Sequence, residues 1–413
     1  MEYGCIGETL KHSFSKEIHK RLYEEEYELT ELTPQEVKTF LEKRNFKAVN
    51  VTLPYKETVI PYLKEIDKHA ETIGSVNTVV NRGGELYGYN TDFYGLSMLA
   101  MHAGIDFLDK KVMILGTGGT SKTAVAVANA LGAAETVLVS RKKKQGYCSY
   151  EDAVKKHKDT NIIINATPMG MYPKILGSPI ELNKFNSLEG VLDAVYNPIC
   201  TRLILEARKM GAKAEGGLYM LVAQAVRAAE IFKDKTFPEG TIDKIYREIL
   251  KEKMNIVLIG MPSSGKTTVG EILAEKLSRE FFDNDREIEQ RWEKTPAALI
   301  NERGESAFRD IESTALLSAA PLNSAVISTG GGVVLRGDNI SVLKENGRIY
   351  FIDRSPENLT PTEDRPLSQT KEDIERLYAE RYGKYLEECD AKIDGNLTAE
   401  EVADAIIKEF SAF

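Results

Sequence analysis

Residues 255–268 read Asn-Ile-Val-Leu-Ile-Gly-Met-Pro-Ser-Ser-Gly-Lys-Thr-Thr. A short strand pattern runs straight into Gly-x-x-x-x-Gly-Lys-Thr, and an apolar helix pattern over 269–277 follows. That order has a physical use. Backbone amides of such a loop cradle phosphate oxygens, its lysine reaches the β and γ groups, and its threonine hydroxyl meets Mg²⁺. The stretch predicts an α/β unit with a parallel sheet around a nucleoside triphosphate, held by Ser263, Ser264, Gly265, Lys266, Thr267 and Thr268.

A second glycine-rich turn lies upstream. Residues 111–115 predict a strand, Gly116-Thr117-Gly118-Gly119-Thr120-Ser121 a tight turn, and 124–131 an apolar helix. Glycines there let the backbone approach a pyrophosphate, whose charge meets the helix N-terminus. The next strand pattern, 136–139, ends in Ser140-Arg141-Lys142-Lys143-Lys144, where an NAD enzyme carries an acid for the ribose 2′-hydroxyl. Cations at that place suit a 2′-phosphate. NADP(H) is therefore expected over NAD, with Ser140, Arg141 and Lys142 on its adenine side.

Bulk properties agree with two such units. The chain has 413 residues, and a single core stops growing at about 250 to 300. Short apolar runs at 112–115, 136–139, 162–165 and 191–195 alternate with helical stretches, and the rhythm restarts at 255–259, 325–328 and 348–352. Alternation of this kind marks βαβ units. Charge is unevenly shared: from Met254 onward there are 19 Lys and Arg against 30 Asp and Glu, leaving 35 against 33 before it. Neither half concentrates basic charge, so no nucleic-acid partner is expected. Residues 242–253 predict an amphipathic helix joining the halves without a Gly/Ser-rich or Pro-rich linker.

The four cysteines are widely spaced, and no apolar stretch approaches the about 18 residues of a membrane span. A reducing, cytoplasmic setting without membrane attachment is the expectation. The histidines show no ligand spacing, and no metal is expected in the first half.

Residues 1–95 hold small polar groups in loops after apolar strands. They are Ser13 and Ser15; Asn50, Thr52 and Lys56 in Val49-Asn50-Val51-Thr52-Leu53-Pro54-Tyr55-Lys56; Asn77 in Gly74-Ser75-Val76-Asn77-Thr78; and Asn90 and Asp92 in Gly88-Tyr89-Asn90-Thr91-Asp92. Such a set suits a polyhydroxylated ligand. With Asn165-Ala166-Thr167-Pro168-Met169-Gly170 and Gly217-Leu218-Tyr219-Met220-Leu221-Val222-Ala223-Gln224, these motifs resemble shikimate dehydrogenase over nearly all of residues 1–250. The resemblance implies a substrate-binding α/β domain over 1–95, completed by helices from 217–253, and a Rossmann dinucleotide-binding domain over 96–216. It implies that Ser13, Ser15, Thr52, Asn77, Tyr196 and Gln224 bind 3-dehydroshikimate. Lys56 and Asp92 would form the catalytic pair, and Thr167, Ala194 and Gly217 would line the cofactor. Ser140 and Lys142 replace the Asn and Thr usual around Arg141.

Downstream of the phosphate loop, Asp283-Asn284-Asp285 follows a strand pattern at 280–282, placing carboxylates where open α/β sheets bind ligands. Taken alone, Asp283 reads equally well as a helix N-cap. The further motifs are Gly304-Glu305-Ser306-Ala307-Phe308-Arg309-Asp310-Ile311-Glu312, Ser328-Thr329-Gly330-Gly331-Gly332, Arg365-Pro366-Leu367 and Glu380-Arg381-Tyr382-Gly383-Lys384-Tyr385. Together they resemble shikimate kinase over 254–413, which implies a P-loop kinase domain of the nucleoside-monophosphate-kinase type. On that likeness Asp285, Arg309, Gly331 and Arg381 hold shikimate, and Asp283 and Thr267 serve Mg²⁺. Lys266 and Arg365, the latter on a short lid over 357–370, act on ATP. Tyr382-Gly383-Lys384 stands where the family usually has Asn-Pro-Leu.

The product of the first reaction is the substrate of the second, so a bifunctional enzyme of aromatic biosynthesis is expected. Competing readings are a quinate-preferring, NAD-dependent first half joined to another small-metabolite kinase, and a non-catalytic sensor of nucleotide and shikimate. Intact Lys56, Asp92, Lys266 and Asp285 speak against the sensor.

Overall fold

Val112, Met113, Ile114 and Leu115 are each wholly buried, as are Ile162, Ile163 and Ile164 on the neighbouring strand. Continuous burial is the mark of parallel strands covered on both faces. A computed structural model describes residues 1–10, 14–142, 145–361 and 366–413, and these fall into two units, Met1–Leu250 and Lys251–Phe413.

The first unit contains two sheets. One has six strands in the order Tyr27–Glu31, Tyr3–Gly7, Ala48–Val51, Thr78–Arg82, Glu85–Tyr89 and Glu65–Ile66. It is mixed, with Ala48–Val51 antiparallel to Thr78–Arg82 and the latter antiparallel to Glu85–Tyr89. The second sheet is parallel, in the order Lys213–Glu215, Gly190–Asp193, Ile162–Asn165, Lys111–Leu115 and Glu135–Val139. The order reverses beside Lys111–Leu115, and open α/β sheets bind ligands at such a switch point. Helix Leu218–Lys233 packs Leu218, Val222, Ala225 and Ala229 into the same core as Tyr3, Cys5 and Ala48 of the mixed sheet.

The second unit has one parallel sheet, ordered Glu280–Asp283, Ala325–Ser328, Asn255–Ile259, Gly347–Asp353 and Ala391–Asp394. Val257, Ile259, Ile327 and Phe351 face one core, and Ile256, Leu258, Val326 and Tyr350 the other, the alternation that a two-sided sheet requires.

Several strands extend one residue beyond an end of the expected run, the run expected over 191–195 is instead strand Gly190–Asp193, and two helices start earlier than their apolar pattern. Gly119–Ala130 and Lys266–Leu277 both begin at their glycine turns, where polar residues carry no periodicity signal. Helix Thr241–Lys253 buries Ile245 and Ile249, with Ile242 and Leu250 beside them, and strand Asn255–Ile259 follows after Met254. Among the described residues no helix is long and apolar enough to cross a membrane.

Candidate active sites

In the first unit, Lys56 follows strand Ala48–Val51, while Asn90 caps helix Thr91–His102 by accepting from the Phe93 amide at 3.1 Å. The cap places Asp92 in the first helical turn, where the helix dipole favours a carboxylate. Lys56 Nζ donates to Asp92 Oδ2, with the two side chains only 14% and 11% exposed. Asn77 Nδ2 donates to Asp92 Oδ1 at 2.9 Å and to Thr91 Oγ1 at 3.0 Å, and its Oδ1 accepts from the Thr91 amide at 2.8 Å. Thr91 Oγ1 reaches Gln224 Oε1 at 3.2 Å. One connected array therefore joins four segments of the chain.

These groups line a cavity of about 420 Å³ whose walls include Ser15, Thr52, Lys56, Asn77, Asp92, Thr120, Ala194, Tyr196, Gly217 and Gln224. Burial pushes the Tyr196 hydroxyl up to about 12, so it remains a neutral donor at ordinary pH. Sequence reasoning missed Cys5, Tyr172, Asn197 and Met220 on the same walls, and assigned Asn50 no individual role. Asn50 accepts from Tyr27 at 2.8 Å and donates to Thr78 Oγ1 at 3.1 Å, and its position in the Asn-Val-Thr run was the available signal. Ser13 lies outside the described residues.

The glycine turn sits beside this array. A Cβ on Gly119 would stand 3.4 Å from Ser75 Oγ and 3.9 Å from Lys56 Cδ. Gly116 has φ +116°, and a Cβ there would meet Ala166 O at 2.9 Å, so the turn requires glycine on two counts. Ser121 Oγ closes the turn on Gly116 O at 2.8 Å. Thr117, Gly118, Ser121 and Thr167 lie outside the cavity wall, whereas Thr120 forms part of it. Ser140, Arg141 and Lys142 line a separate cavity with Gln145, Tyr147 and Cys148. Lys143 and Lys144 lie outside the described residues.

In the second unit, a cavity of about 340 Å³ collects Ser263, Gly265, Lys266, Thr267 and Thr268 from the phosphate loop with Asp285, Arg309, Gly331 and Arg381. Ser264 is buried behind the loop. Gly265 has φ +92°, a left-handed bend that turns the loop into the helix. Lys266 Nζ folds back on Gly260 O at 3.0 Å and Met261 O at 2.8 Å. Asp283 is the last residue of its strand, one position later than expected, and forms the helix N-cap that its position allowed. Its Oδ1 caps the next helix through the amides of Asp285 and Arg286 at 3.0 and 3.2 Å, while Oδ2 accepts from Thr267 Oγ1 at 2.9 Å.

Two buried arginines meet at the other end. Arg309 Nη1 pairs with Glu312 at 2.9 Å and Nη2 with Glu305 at 2.9 Å. Burial opposes its charge, but the two carboxylates outweigh burial and raise its pKa. Arg381 donates to Gly331 O at 3.2 Å, an oxygen that also accepts from Tyr385. The glycine run is steric: a Cβ on Gly332 would lie 2.1 Å from Arg309 Nη1, and one on Gly330 2.5 Å from Glu312 Oε1 and 3.2 Å from Asp285 Oδ1. Glu305, Glu312 and Tyr385 stood in motifs whose other members drew the attention, and i,i+3 or i,i+4 spacing to Arg309 was the signal for the two acids. Arg365 lies outside the described residues.

A family model described as shikimate dehydrogenase substrate binding domain matches residues 5–79, and one described as shikimate kinase matches 262–411. The chain is 36% identical over 247 residues to the NADP(+) shikimate dehydrogenase of Clostridium beijerinckii, covering 56% of this chain and 92% of that one. Shikimate dehydrogenase 1 of Peptoclostridium difficile is similar in structure, with TM-score 0.56, 36% identity and coverage of 60% and 98%. The Thermus thermophilus shikimate 5-dehydrogenase complex with NADP(H) and shikimate matches with TM-score 0.54, 26% identity and coverage of 60% and 99%.

Proposed function

Because the chain belongs to the shikimate dehydrogenase family and carries a shikimate kinase domain over residues 262–411, we propose that one polypeptide reduces 3-dehydroshikimate and then phosphorylates the shikimate formed. Both steps belong to the shikimate pathway. The observation that carries this reading is that in each unit a single cavity holds nucleotide-side residues together with the groups that would act on a hydroxylated acid. Both substrates are small molecules, and a cytoplasmic setting suits them.

NADPH, when bound, supplies the hydride, and the glycine turn beside Lys56 leaves backbone room for its pyrophosphate. Lys56 faces the ketone oxygen and offsets the negative charge that develops as the carbonyl bond opens. Asp92 orients the ammonium, and the proton that completes the new hydroxyl comes from this pair and is replaced from solvent. Asn77, Thr52, Ser15, Tyr196 and Gln224 hold the carboxylate and hydroxyls. Arg141 and Lys142 take the 2′-phosphate.

In the second reaction the shikimate 3-hydroxyl oxygen bonds to the γ-phosphorus of ATP while the bond to the β-bridging oxygen breaks. Asp285 orients that hydroxyl and receives its proton. Lys266 leaves the loop carbonyls for the β and γ oxygens. Arg309 and Arg381 pair with the acceptor's carboxylate. Thr267 Oγ1 and Asp283, hard oxygen donors already in contact, fit Mg²⁺, with Asp283 acting through water; the ion supplies charge neutralisation at the phosphates. Arg365 closes over ATP on this reading.

One incubation tests the whole. Dehydroshikimate, NADPH and ATP with Mg²⁺ should yield shikimate 3-phosphate, NADP⁺ and ADP in equal amounts. NADPH consumption without a phosphorylated product would overturn the kinase half, and no consumption the dehydrogenase half.

A further inference from the structure

Asp193 ends strand Gly190–Asp193, is wholly buried, and takes no place on the cavity wall. Its oxygens nevertheless collect three donors. Oδ1 accepts from Asn165 Nδ2 at 2.9 Å and from the Val195 amide at 2.9 Å, and Oδ2 accepts from Thr201 Oγ1 at 2.7 Å. Two of the donors lead on to residues expected at the cofactor, and Thr201 caps helix Arg202–Lys209. Asn165 Oδ1 in turn fixes Thr167 through its amide at 3.0 Å and hydroxyl at 2.7 Å. Val195 O accepts from the Gly217 amide at 2.8 Å, and Ala194 N donates to Asn165 O at 2.9 Å. The fit is close, since a Cβ on Gly217 would stand 2.4 Å from Ala194 O.

We infer that Asp193 is a positioning residue for the reduction: it sets the mutual spacing of the segments carrying Thr167, Ala194, Tyr196 and Gly217 without touching substrate or cofactor. The inference rests on the dehydrogenase reading above. Only a carboxylate accepts from three donors and offers none, so neither Asn nor Ser serves the same junction. The placement is energetically unfavourable, because burial pushes this carboxyl up to about 7 against the pull of the Val195, Thr201 and Asn165 donors. A site needing only a strand end would be served by an apolar side chain.

The test uses the full chain, in which ATP-dependent phosphorylation of added shikimate by the second unit gives the amount of intact protein and circular dichroism reports the fold. Asp193→Asn retains one acceptor oxygen for Asn165 and Val195 but turns an amide toward Thr201. It should raise the KM for NADPH on the order of tenfold, a cost of about 1.4 kcal/mol, with phosphorylation per mole unchanged. Thr201→Val, which removes a single donor, should shift the same KM in the same direction by less. An unchanged NADPH KM in Asp193→Asn, with any lost activity matched by lost folded protein in circular dichroism, overturns the inference. Should the unaltered chain fail to oxidise NADPH with dehydroshikimate, the dehydrogenase reading fails instead, and the two failures are thereby told apart.

Discussion

Thr267 Oγ1 donates to Asp283 Oδ2 at 2.9 Å, linking the helix after the phosphate loop to the C-terminal end of the sheet's edge strand. Asp283 Oδ1 simultaneously caps a helix, so substitution can separate that structural duty from the metal duty proposed for the same carboxylate. Asn caps a helix about as well as Asp. Asp283→Asn should therefore leave the unfolding midpoint nearly unchanged while raising the Mg²⁺ needed for half-maximal phosphorylation by about 10- to 100-fold, the usual cost of losing an outer-sphere partner. A Mg²⁺ titration of ATP turnover checks this, and an unaltered titration would remove Asp283 from the metal's surroundings.

Lys56 is tied to Asp92 and both side chains are largely withdrawn from water. Lys56→Ala should lower NADPH-dependent reduction by about 10²- to 10⁴-fold, the range for a lost acid–base group. Phosphorylation of shikimate added to the same variant should continue at the unaltered rate. Stopped-flow absorbance of NADPH beside a coupled ADP assay reads both on one sample.

Arg309 is buried between Glu305 and Glu312. Removing its charge leaves Glu312 buried without a counter-ion, at a cost of about 3 to 5 kcal/mol, so alanine confounds folding with function. Arg309→Lys keeps the charge but loses the planar fork that matches a carboxylate. Its shikimate KM should rise by roughly tenfold or more, corresponding to one charged hydrogen bond of about 1.5 to 3 kcal/mol, with the KM for ATP close to unchanged. Equal rises in both would assign the arginine to general packing.

Arg141 and Lys142 line their own cavity at the end of strand Glu135–Val139. Arg141→Asp should cut the preference for NADPH over NADH by on the order of tenfold or more, since a carboxylate repels a 2′-phosphate and accepts from a 2′-hydroxyl. Measured kcat/KM for the two nucleotides decides it; an unchanged ratio would move the 2′-phosphate elsewhere.

His19 is wholly buried, stacked 3.9 Å from the Tyr27 ring, with Tyr23 Oη 2.9 Å from Nδ1. Burial lowers its pKa from 6.5 to about 3. Its contribution to stability is complete above pH 6.5 and is lost as pH falls toward 3, because only the unfolded chain takes the proton in that window. Denaturant unfolding between pH 7 and pH 4 should show His19→Phe with a shallower acid loss, by up to about 1.4 kcal/mol per pH unit. Parallel pH slopes would show that other groups drive the acid loss.

Both glycine turns, their flanking strands and the parallel sheets could be read along the chain, because each depends on neighbours within about 15 residues and on periodicity that burial imposes. The helix starts at Gly119 and Lys266 could not, since capping geometry there involves residues without apolar spacing. Lys56, Asn77 and Asp92 were legible as residue types inside motifs, whereas their contact was not: it depends on strand Ala48–Val51 pairing with Thr78–Arg82 and on the cap that Asn90 forms.

Residue order thus determined by itself that this chain carries two distinct glycine-rich turns, each between a strand and a helix, because a turn of that kind is a local object. Tertiary structure alone decided which distant side chains meet in and behind each cavity. It set Asp193 against Asn165 and Thr201, and Tyr385 on Gly331 O. These are contacts between segments brought together by sheet order and close packing, and their partners leave no mark at any fixed spacing in the chain.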